Sequence, residues 1–424
     1  MANLNTLTSA IDGFIHNLPS QINDVDRTSL LGLIERLQSV IETPRDRIMT
    51  LGHSQLLPAM TRVAQGMGVF DAFANSGSST LNLPELSSKT KGDEKLLARV
   101  MRFLSAYDMF QEVGSQESTS IPVYKATPVA LALAHGTAES AIFKHQAGYT
   151  PISASLNDYL ASTGYQNPSN AYKGPLQFTR RTTAHYFDWL ASNPEAQEAF
   201  NTTMGLLRVM SDRWFELYPV VERLDIEQNP GDIESGKGKE GDENRVLLVD
   251  VGGNKGDEIL AFRRAFPDLP GRLVLQDIPA VASGIFQSLG DNIEVMPHDM
   301  FDPQPVKAAR MYLLRRILLD WPDNQALQVL RNMREAMAPD SALLIYDIVY
   351  PEQGQTGGGR AAREAADLDL VMMECFSALI RTEGEWVGLL ESAGLVVRNI
   401  HRAEGHRGLR VALLEAVVKE SDEA

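Results

Sequence analysis

From residue 245 onward the chain alternates uninterrupted apolar runs with amphipathic ones, and this pattern leaves few folds open. "VLLVDVGG" (246–253), "RLVLQDIP" (272–279), "IEVMPHDMF" (293–301), "ARMYLLRRILLDW" (309–321) and "ALLIYDIVYP" (342–351) are strands rich in apolar residues. Between them, "DEILAFRRAF" (257–266) and "NQALQVLRNMREAM" (324–337) place apolar residues at helical spacing. A strand that is apolar on both sides must be covered on both sides. A parallel sheet with crossover helices does this. The closing "GLVVRNIHRAEGHRGLRVALLEAVV" (394–418) predicts two antiparallel strands.

The preceding part reads differently. Residues 1–45 carry apolar positions at helical spacing, such as Leu30, Leu31, Leu33, Ile34, Leu37 and Ile41. "LLPAMTRVAQGMGVFDAF" continues that period. "TLNLPELSSKT" predicts a short strand or turn with a helix start, and "DEKLLARVMRFLSAYDMFQEV" another helix. "YKATPVALALA" is a strand leading into a proline-started helix. Helices followed by a two-stranded wing make a winged-helix unit, but its helices are not notably basic, so packing or dimerisation fits better than DNA reading. Residues 137–222 read as all-helical, with Ser192 and Asn193 as cap candidates ahead of Pro194. "DIEQNPGDIESGKGKEGDENR" is charged, Gly-rich and almost free of apolar residues. It marks a solvent-exposed insertion over 223–244, between a domain at 1–222 and one at 245–424.

Charge narrows the partners. With 39 basic and 55 acidic residues the net charge is −16, which excludes a broad nucleic-acid or anionic-membrane surface. The single cysteine, Cys375, cannot form an internal disulfide, so a reducing, cytoplasmic setting is expected. It lies in the apolar helical run "LDLVMMECFSALI", where a packing role is expected. No signal peptide or membrane-spanning run is read in the sequence.

The strand ends suggest a cofactor. "VDVGGNKGDEIL" puts Gly252, Gly253 and Gly256 in the turn between the first strand and its helix, where a backbone can approach a ligand closely. Asp277 ends the second strand, where an acid can hydrogen-bond a ribose diol. Asp299 and Met300 close the third, where they can flank a purine. The turn lacks the full G-x-G-x-x-G pattern of a dinucleotide site. "TGGGRAAREAAD" (356–367) does not follow a strand and reads as a flexible surface loop.

In order, "VDVGGNKG", "LQDIP", "HDMFDP", "LRRILLDWPD", "LLIYDIVYP" and "RTEGEW" resemble the plant- and fungal-type S-adenosylmethionine-dependent O-methyltransferases that act on small molecules. The likeness is closest over 245–420 and extends more weakly through "TPVALAL" and "NPEAQEAFNTTM". It implies an α/β protein with a C-terminal Rossmann-like methyltransferase domain and an N-terminal helical, winged-helix-like dimerisation domain. It also implies a homodimer in which N-terminal helices help cover the partner's site. By the same resemblance, Gly252, Gly253 and Gly256 lie against S-adenosylmethionine, Asp277 holds its ribose, Asp299 and Met300 border its adenine, and Arg315 approaches its polar tail.

Two departures bear on activity. Where the methyltransferases carry the histidine that deprotonates the substrate, this chain has Leu319. Where they carry the glutamate that orients it, this chain has Ile380. A phenol needs a positioned base to attack a methyl group at neutral pH, an effect of about 10²–10⁴-fold. A kept cofactor turn without that base resembles the fungal S-adenosylmethionine-dependent pericyclases. These dehydrate a pyridone-type alcohol to a quinone methide and steer its Alder-ene or hetero-Diels–Alder closure. Two alternatives stand beside this expectation: an O-methyltransferase using another base, such as Asp320 or His145, and a silent dimer partner.

Asp320, at the mouth of the strand, is a candidate to bind a substrate hydroxyl or assist water loss, or else to hold a loop. Arg315 and Arg316 alternate along the strand, so one is expected inward and the other solvated. The pericyclase resemblance makes His145 the candidate donor to a substrate carbonyl, with a packing role the alternative. His185 is second, and His298 is placed beside the cofactor or solvent. Met204, Met372, Met373 and Phe376 are candidate walls for a substrate pocket that also includes Ile380, with only some of them expected to touch a ligand.

Overall fold

A computed structural model describes residues 4–19, 21–115, 121–209, 213–224, 245–285, 289–290, 293–352, 360–404 and 409–419. Most of the expected insertion, residues 225–244, lies outside the described residues, as do residues 356–359 of the glycine run.

The chain divides into two compact units. The smaller comprises the N-terminal residues through Gln55 together with Gly358–Arg360. It contains helices Leu4–His16, Asp24–Ile41 and Pro44–His53. Pro44 opens the third at a position whose N–H would be unbonded anyway, and Thr43 and Asp46 close a reciprocal capping box ahead of it. Leu33, Ile34 and Leu37, chosen above for their helical spacing, are exposed.

The larger unit holds both sheets found among the described residues. Strands β1 (Thr80–Asn82), β2 (Phe110–Ser115) and β3 (Pro122–Ala126) pair antiparallel in the order β1-β3-β2. The expected two-stranded wing therefore gains a third strand, because Leu81 is buried opposite Tyr124 and ties the segment before helix Leu83–Lys89 into the sheet. Helices Leu56–Met67 and Glu94–Ala106 pack on it through Ala64, Met67, Leu97, Val100, Met101 and Leu104. Residues 137–222 are helical among those described.

The second sheet contains β4 (Val246–Val251), β5 (Arg272–Asp277), β6 (Ile293–Pro297), β7 (Met311–Arg315), β8 (Ala342–Ile348), β9 (Leu395–Glu404) and β10 (Arg410–Val418). The order is β6-β5-β4-β7-β8-β10-β9, parallel through β8, with β10 antiparallel to both β8 and β9. All residues of β4 and β8 are buried, because a layer of core covers each face. This burial is why those strands read as unbroken apolar runs. The chain runs outward from β4 to β6 on one side and resumes at β7 on the other. This leaves a crevice at the carboxyl ends of β4 and β7, where open α/β sheets bind ligands.

One expectation is corrected by the fold. Residues 360–367 are not loop, since Arg360–Phe376 is a continuous helix. Its Ala365, Met372, Cys375 and Phe376 are buried, and the repeated alanines of "RAAREAAD" favour helix over loop. No helix among the described residues is long and apolar enough to cross a membrane.

Candidate active site at the switch point of the sheet

The turn after β4 is shaped by close packing. Gly252 and Gly256 have φ of 71° and 81°, and the Gly252 N–H donates to the Gln276 carbonyl at 2.8 Å. A Cβ on Gly253 would lie 2.5 Å from Asp250 Oδ2 and collide with Leu275, while one on Gly252 would meet Ile317 at 2.6 Å. The glycines are thus required by neighbouring side chains. Gly253→Ala is expected to lower stability by about 1–3 kcal/mol through overpacking, measurable by denaturant unfolding. Asn254, also at positive φ, donates its N–H to Asp277 Oδ2 at 2.9 Å, and Ile278 N–H reaches Asp277 Oδ1 at 2.8 Å. Burial nevertheless raises the Asp277 carboxyl above its ordinary value, against the pull of those two donors.

Charges converge beneath the turn. Asp250 is buried with its Oδ2 lacking a hydrogen-bond partner. Burial, followed by Glu258, pushes its carboxyl up to about 7, while Arg315 opposes the shift. Glu258 pairs with Arg213 at 2.7 Å and faces Arg315 Nε at 3.7 Å. An orphaned carboxylate oxygen beside a tight glycine turn, with Asp277 at the next strand end, fits a cofactor carrying a cationic amine and a ribose. At the end of β6, Asp299 Oδ1 accepts from Phe301 N–H at 3.0 Å, and the Met300 carbonyl accepts from Asn332 at 3.1 Å. His298 is partly exposed, and burial lowers its pKa.

After Arg315 the chain leaves β7. Arg316 has φ 57°, and Leu318–Asp320 form a 3₁₀ turn. The expectation that one of the two arginines would be solvated is therefore corrected. Both are half-buried, with guanidiniums 5.4 and 5.8 Å from the Tyr346 ring, because strand alternation ends at the left-handed residue. Leu319 and Ile380 are 7% and 3% exposed and share one core cluster. The Leu319 N–H donates to Asp347 Oδ2 at 3.2 Å. Arg381 ties the turn down by donating to the Leu318 and Trp321 carbonyls and to Asp323.

Asp320 and Asp347 share the Arg316 cation. Burial, then Asp347, holds the Asp320 carboxyl well above the carboxylate range, with Arg316 opposing. Asp347 is pushed up to about 6 by burial, opposed first by Arg316. One cation cannot neutralise two carboxylates in a dry site, so the protonated form of Asp320 is favoured relative to a free carboxyl. Asp320, Arg316 and Tyr149 retain accessible surface although burial dominates the titration of each.

The facing wall comes from the helices before the sheet. His145 is buried on helix Ala138–Ala147, its Nε2 hydrogen-bonded to the Tyr149 hydroxyl at 2.6 Å. Burial lowers its pKa to about 4, so the imidazole is neutral. Burial raises the pKa of both Tyr149 and Tyr186. Tyr186 packs edge-on against Phe376, 4.8 Å between centroids. His185 stacks on Trp321 at 4.4 Å and 3°, and its Nδ1 accepts from Phe187 N–H. Met372, Cys375 and Phe376 are buried in this wall, Met373 is partly buried, and Met204 is exposed. Tyr149, Tyr186, Asp347 and Arg381 were not singled out in the sequence. Asp347 alone left a local signal, as an acid inside an otherwise apolar strand.

An O-methyltransferase domain profile matches residues 243–396, and an O-methyltransferase dimerisation domain profile matches 49–136. Demethylsterigmatocystin 6-O-methyltransferase of Aspergillus parasiticus is 32% identical over 400 residues, covering 94% of this chain and 95% of the relative. O-methyltransferase desB of Aspergillus desertorum is 31% identical over 98% of this chain and 93% of its own. Among solved structures, a LepI variant with SAH and a substrate analogue superposes with a TM-score of 0.74 at 26% identity, covering 98% of this chain and 100% of that one. A protein described as a pericyclic reaction enzyme gives 0.73 at 25% identity, with the same coverage. The dimerisation-domain match supports a homodimer. By sequence over nearly its whole length, by both domains and by sheet order, this chain belongs to the O-methyltransferase family, whose cofactor is S-adenosylmethionine.

Proposed function

We propose that this enzyme is an S-adenosylmethionine-dependent pericyclase of fungal secondary metabolism. It dehydrates a pyridone-type alcohol to a quinone methide and directs Alder-ene or hetero-Diels–Alder closure without methyl transfer. One observation carries the reading: the strand end presents an acid and no base. Leu319 and Ile380 are aliphatic and buried, and burial with Asp347 raises the Asp320 carboxyl well above its ordinary value, which favours its protonated form. Such a carboxyl can protonate a leaving hydroxyl and cannot deprotonate a phenol at neutral pH.

In this reading the carbinol C–O bond breaks and the ring hydroxyl's proton passes to the Asp320 carboxylate left behind. The Asp320 proton departs with the leaving oxygen as water. The bound cofactor supplies a fixed positive charge, which favours electron density on a nearby carbonyl oxygen in a dry site. Gly252, Gly253, Gly256, Asp277, Asp299, Met300 and Arg315 would hold that cofactor. Phe376, Met372 and Met373 would confine the chain that cyclises. Residues 1–222 form the dimerisation and substrate-covering part and residues 245–424 the cofactor-binding part, with N-terminal helices covering the partner's site. The likeness to a pericyclic reaction enzyme supports this reading.

A second reading, a small-molecule O-methyltransferase using His145 or Asp320 as its base, is favoured by the relatives bearing that name. Incubation with S-adenosylmethionine and a 4-hydroxy-2-pyridone bearing a side-chain secondary alcohol separates the two. The expected product is lighter by one water or is its cyclised isomer, and the cofactor is recovered intact. A methylated product with stoichiometric S-adenosylhomocysteine establishes the second reading instead.

A further inference from the structure

Between the helix that follows β4 and the end of β7, an ion pair stops short of a hydrogen bond. Glu258 Oε2 and Arg315 Nε stand 3.7 Å apart. Both atoms are closed to solvent, and neither has a hydrogen-bond partner among the described residues. A buried acceptor and a buried donor left open in this way call for a partner that the chain itself does not supply. We propose that Arg213, from the segment before the sheet, is a positioning residue that holds Glu258 off Arg315, so that the split pair recognises the ammonium and carboxylate of the S-adenosylmethionine tail. The inference concerns the cofactor alone and holds whichever reaction follows.

Arg213 and Trp214 grip the helix Asp257–Ala265, which begins directly after Gly256 of the cofactor turn. Arg213 Nη1 donates to Glu258 Oε1 at 2.7 Å. The Trp214 ring stacks on Phe262, one helical turn beyond Glu258, with centroids 5.2 Å apart and planes 17° from parallel. Trp214 is fully buried, so the grip belongs to the core. The Arg213 N–H donates to Glu216 Oε2 at 3.2 Å, which steadies the backbone from which the guanidinium reaches. Arg315 is restrained from its own side, with its guanidinium 5.4 Å from the Tyr346 ring. Different neighbours therefore hold the two members of the pair, and the gap between them is set by the fold.

A carboxylate has two oxygens, and Arg213 occupies one of them. Without Arg213, Glu258 turns toward Arg315, and a bidentate contact with that guanidinium is the strongest one left to it. Such a pair satisfies donor and acceptor at once, and a ligand must then break it to enter. With Arg213 in place, Oε2 stays open to accept from an ammonium and Nε stays open to donate to a carboxylate. Holding the two apart lowers the cost of binding without adding a contact to the ligand. The arrangement therefore favours a nucleoside with a zwitterionic tail over one that lacks it.

The test compares two ligands by calorimetry on the full chain. S-adenosylhomocysteine carries the amino-acid tail, and 5′-methylthioadenosine has the same nucleoside without it. Arg213→Met keeps an aliphatic stem and cannot donate to Glu258. It is expected to weaken S-adenosylhomocysteine binding about tenfold, the size of one charge-assisted hydrogen bond, and to leave 5′-methylthioadenosine binding unchanged. Glu258→Gln is expected to give the same selective loss. The double variant loses no more than Glu258→Gln alone, because Arg213 acts only through Glu258. Arg213→Lys keeps a cationic donor for Oε1 and recovers most of the affinity. Equal losses for both ligands in Arg213→Met mark a purely structural residue and overturn the proposal, as do unchanged affinities or losses that add in the double variant. If Arg213→Met does not fold, Glu258→Gln carries the two-ligand comparison, and equal losses there overturn the split pair.

Discussion

Asparagine at position 320 lowers turnover by about 10²–10⁴-fold, the range lost with a general acid, and leaves S-adenosylmethionine affinity unchanged. The amide has nearly the shape of a protonated carboxyl, the form that burial and Asp347 favour there. It can still donate a hydrogen bond to a substrate hydroxyl, so the pocket and KM are retained while the transferable proton is gone. Single-turnover kinetics with the pyridone alcohol measure the rate, and calorimetry measures the cofactor. The wild-type pH profile has a matching sign. Activity falls as pH rises through the raised pKa of Asp320, because the acid is consumed by ionisation. In Asp347→Asn a neighbouring negative charge is removed, Asp320 ionises more readily, and the alkaline limb moves to lower pH. A fully active Asp320→Asn enzyme, or a limb that stays in place in Asp347→Asn, assigns the acid elsewhere.

The sheet was legible because its central strands are buried on both faces, and such burial leaves few positions for polar residues, Asp250 and Asp347 being the exceptions in β4 and β8. β4 and β8 therefore announce themselves in any window of the sequence. Gly252, Gly253 and Asp277 were legible for a different reason: a tight turn after a buried strand admits few residues, and its partner acid falls at the next strand end. The wall opposite was not legible. Tyr149 and Tyr186 lie 37 positions apart in sequence (186 − 149), and only tertiary packing brings them to the same core cluster. The arginine pair was misread because a period-two argument holds only while the backbone stays extended, and the strand ends at Arg315, well short of the end of the apolar run at Trp321, with Arg316 at φ 57°. The resemblance supplied the identity of the missing base at Leu319. Asp320 was already a candidate to assist water loss; the structure adds the burial and the Asp347 charge that raise its carboxyl well above its ordinary value.

Methionine at position 381 is expected to lower the unfolding free energy by about 3–5 kcal/mol, the cost of removing one member of a buried charged network. Arg381 is 1% exposed, and its guanidinium lies 4.9 Å from the Trp386 ring. Its Nη1 and Nη2 donate to the Leu318 and Trp321 carbonyls at 2.9 and 2.8 Å, and its Nε to Asp323 at 2.9 Å. A methionine fills much of the aliphatic volume and satisfies none of those acceptors. Asp323 is 66% exposed and can turn to water, so the loss comes mainly from the two carbonyls and from Asp347, which Arg381 helps to keep ionised. The pH dependence follows from that last contribution. Burial already raises Asp347 in the folded state to about 6, above its ordinary value of 3.8, so its contribution to stability is lost as pH rises through the folded value. Without Arg381 the folded value rises further, and the deficit relative to wild type is larger at pH 8 than at pH 5. Arg381→Lys keeps the charge, but a single ammonium cannot span three acceptors in a fixed fork, so it recovers the pH dependence better than the stability. Denaturant unfolding of the three proteins at both pH values measures this. If Arg381→Met unfolds at the wild-type midpoint at pH 8, the Leu318–Asp320 turn does not depend on this guanidinium, and the buried polarity around Asp320 must have another origin.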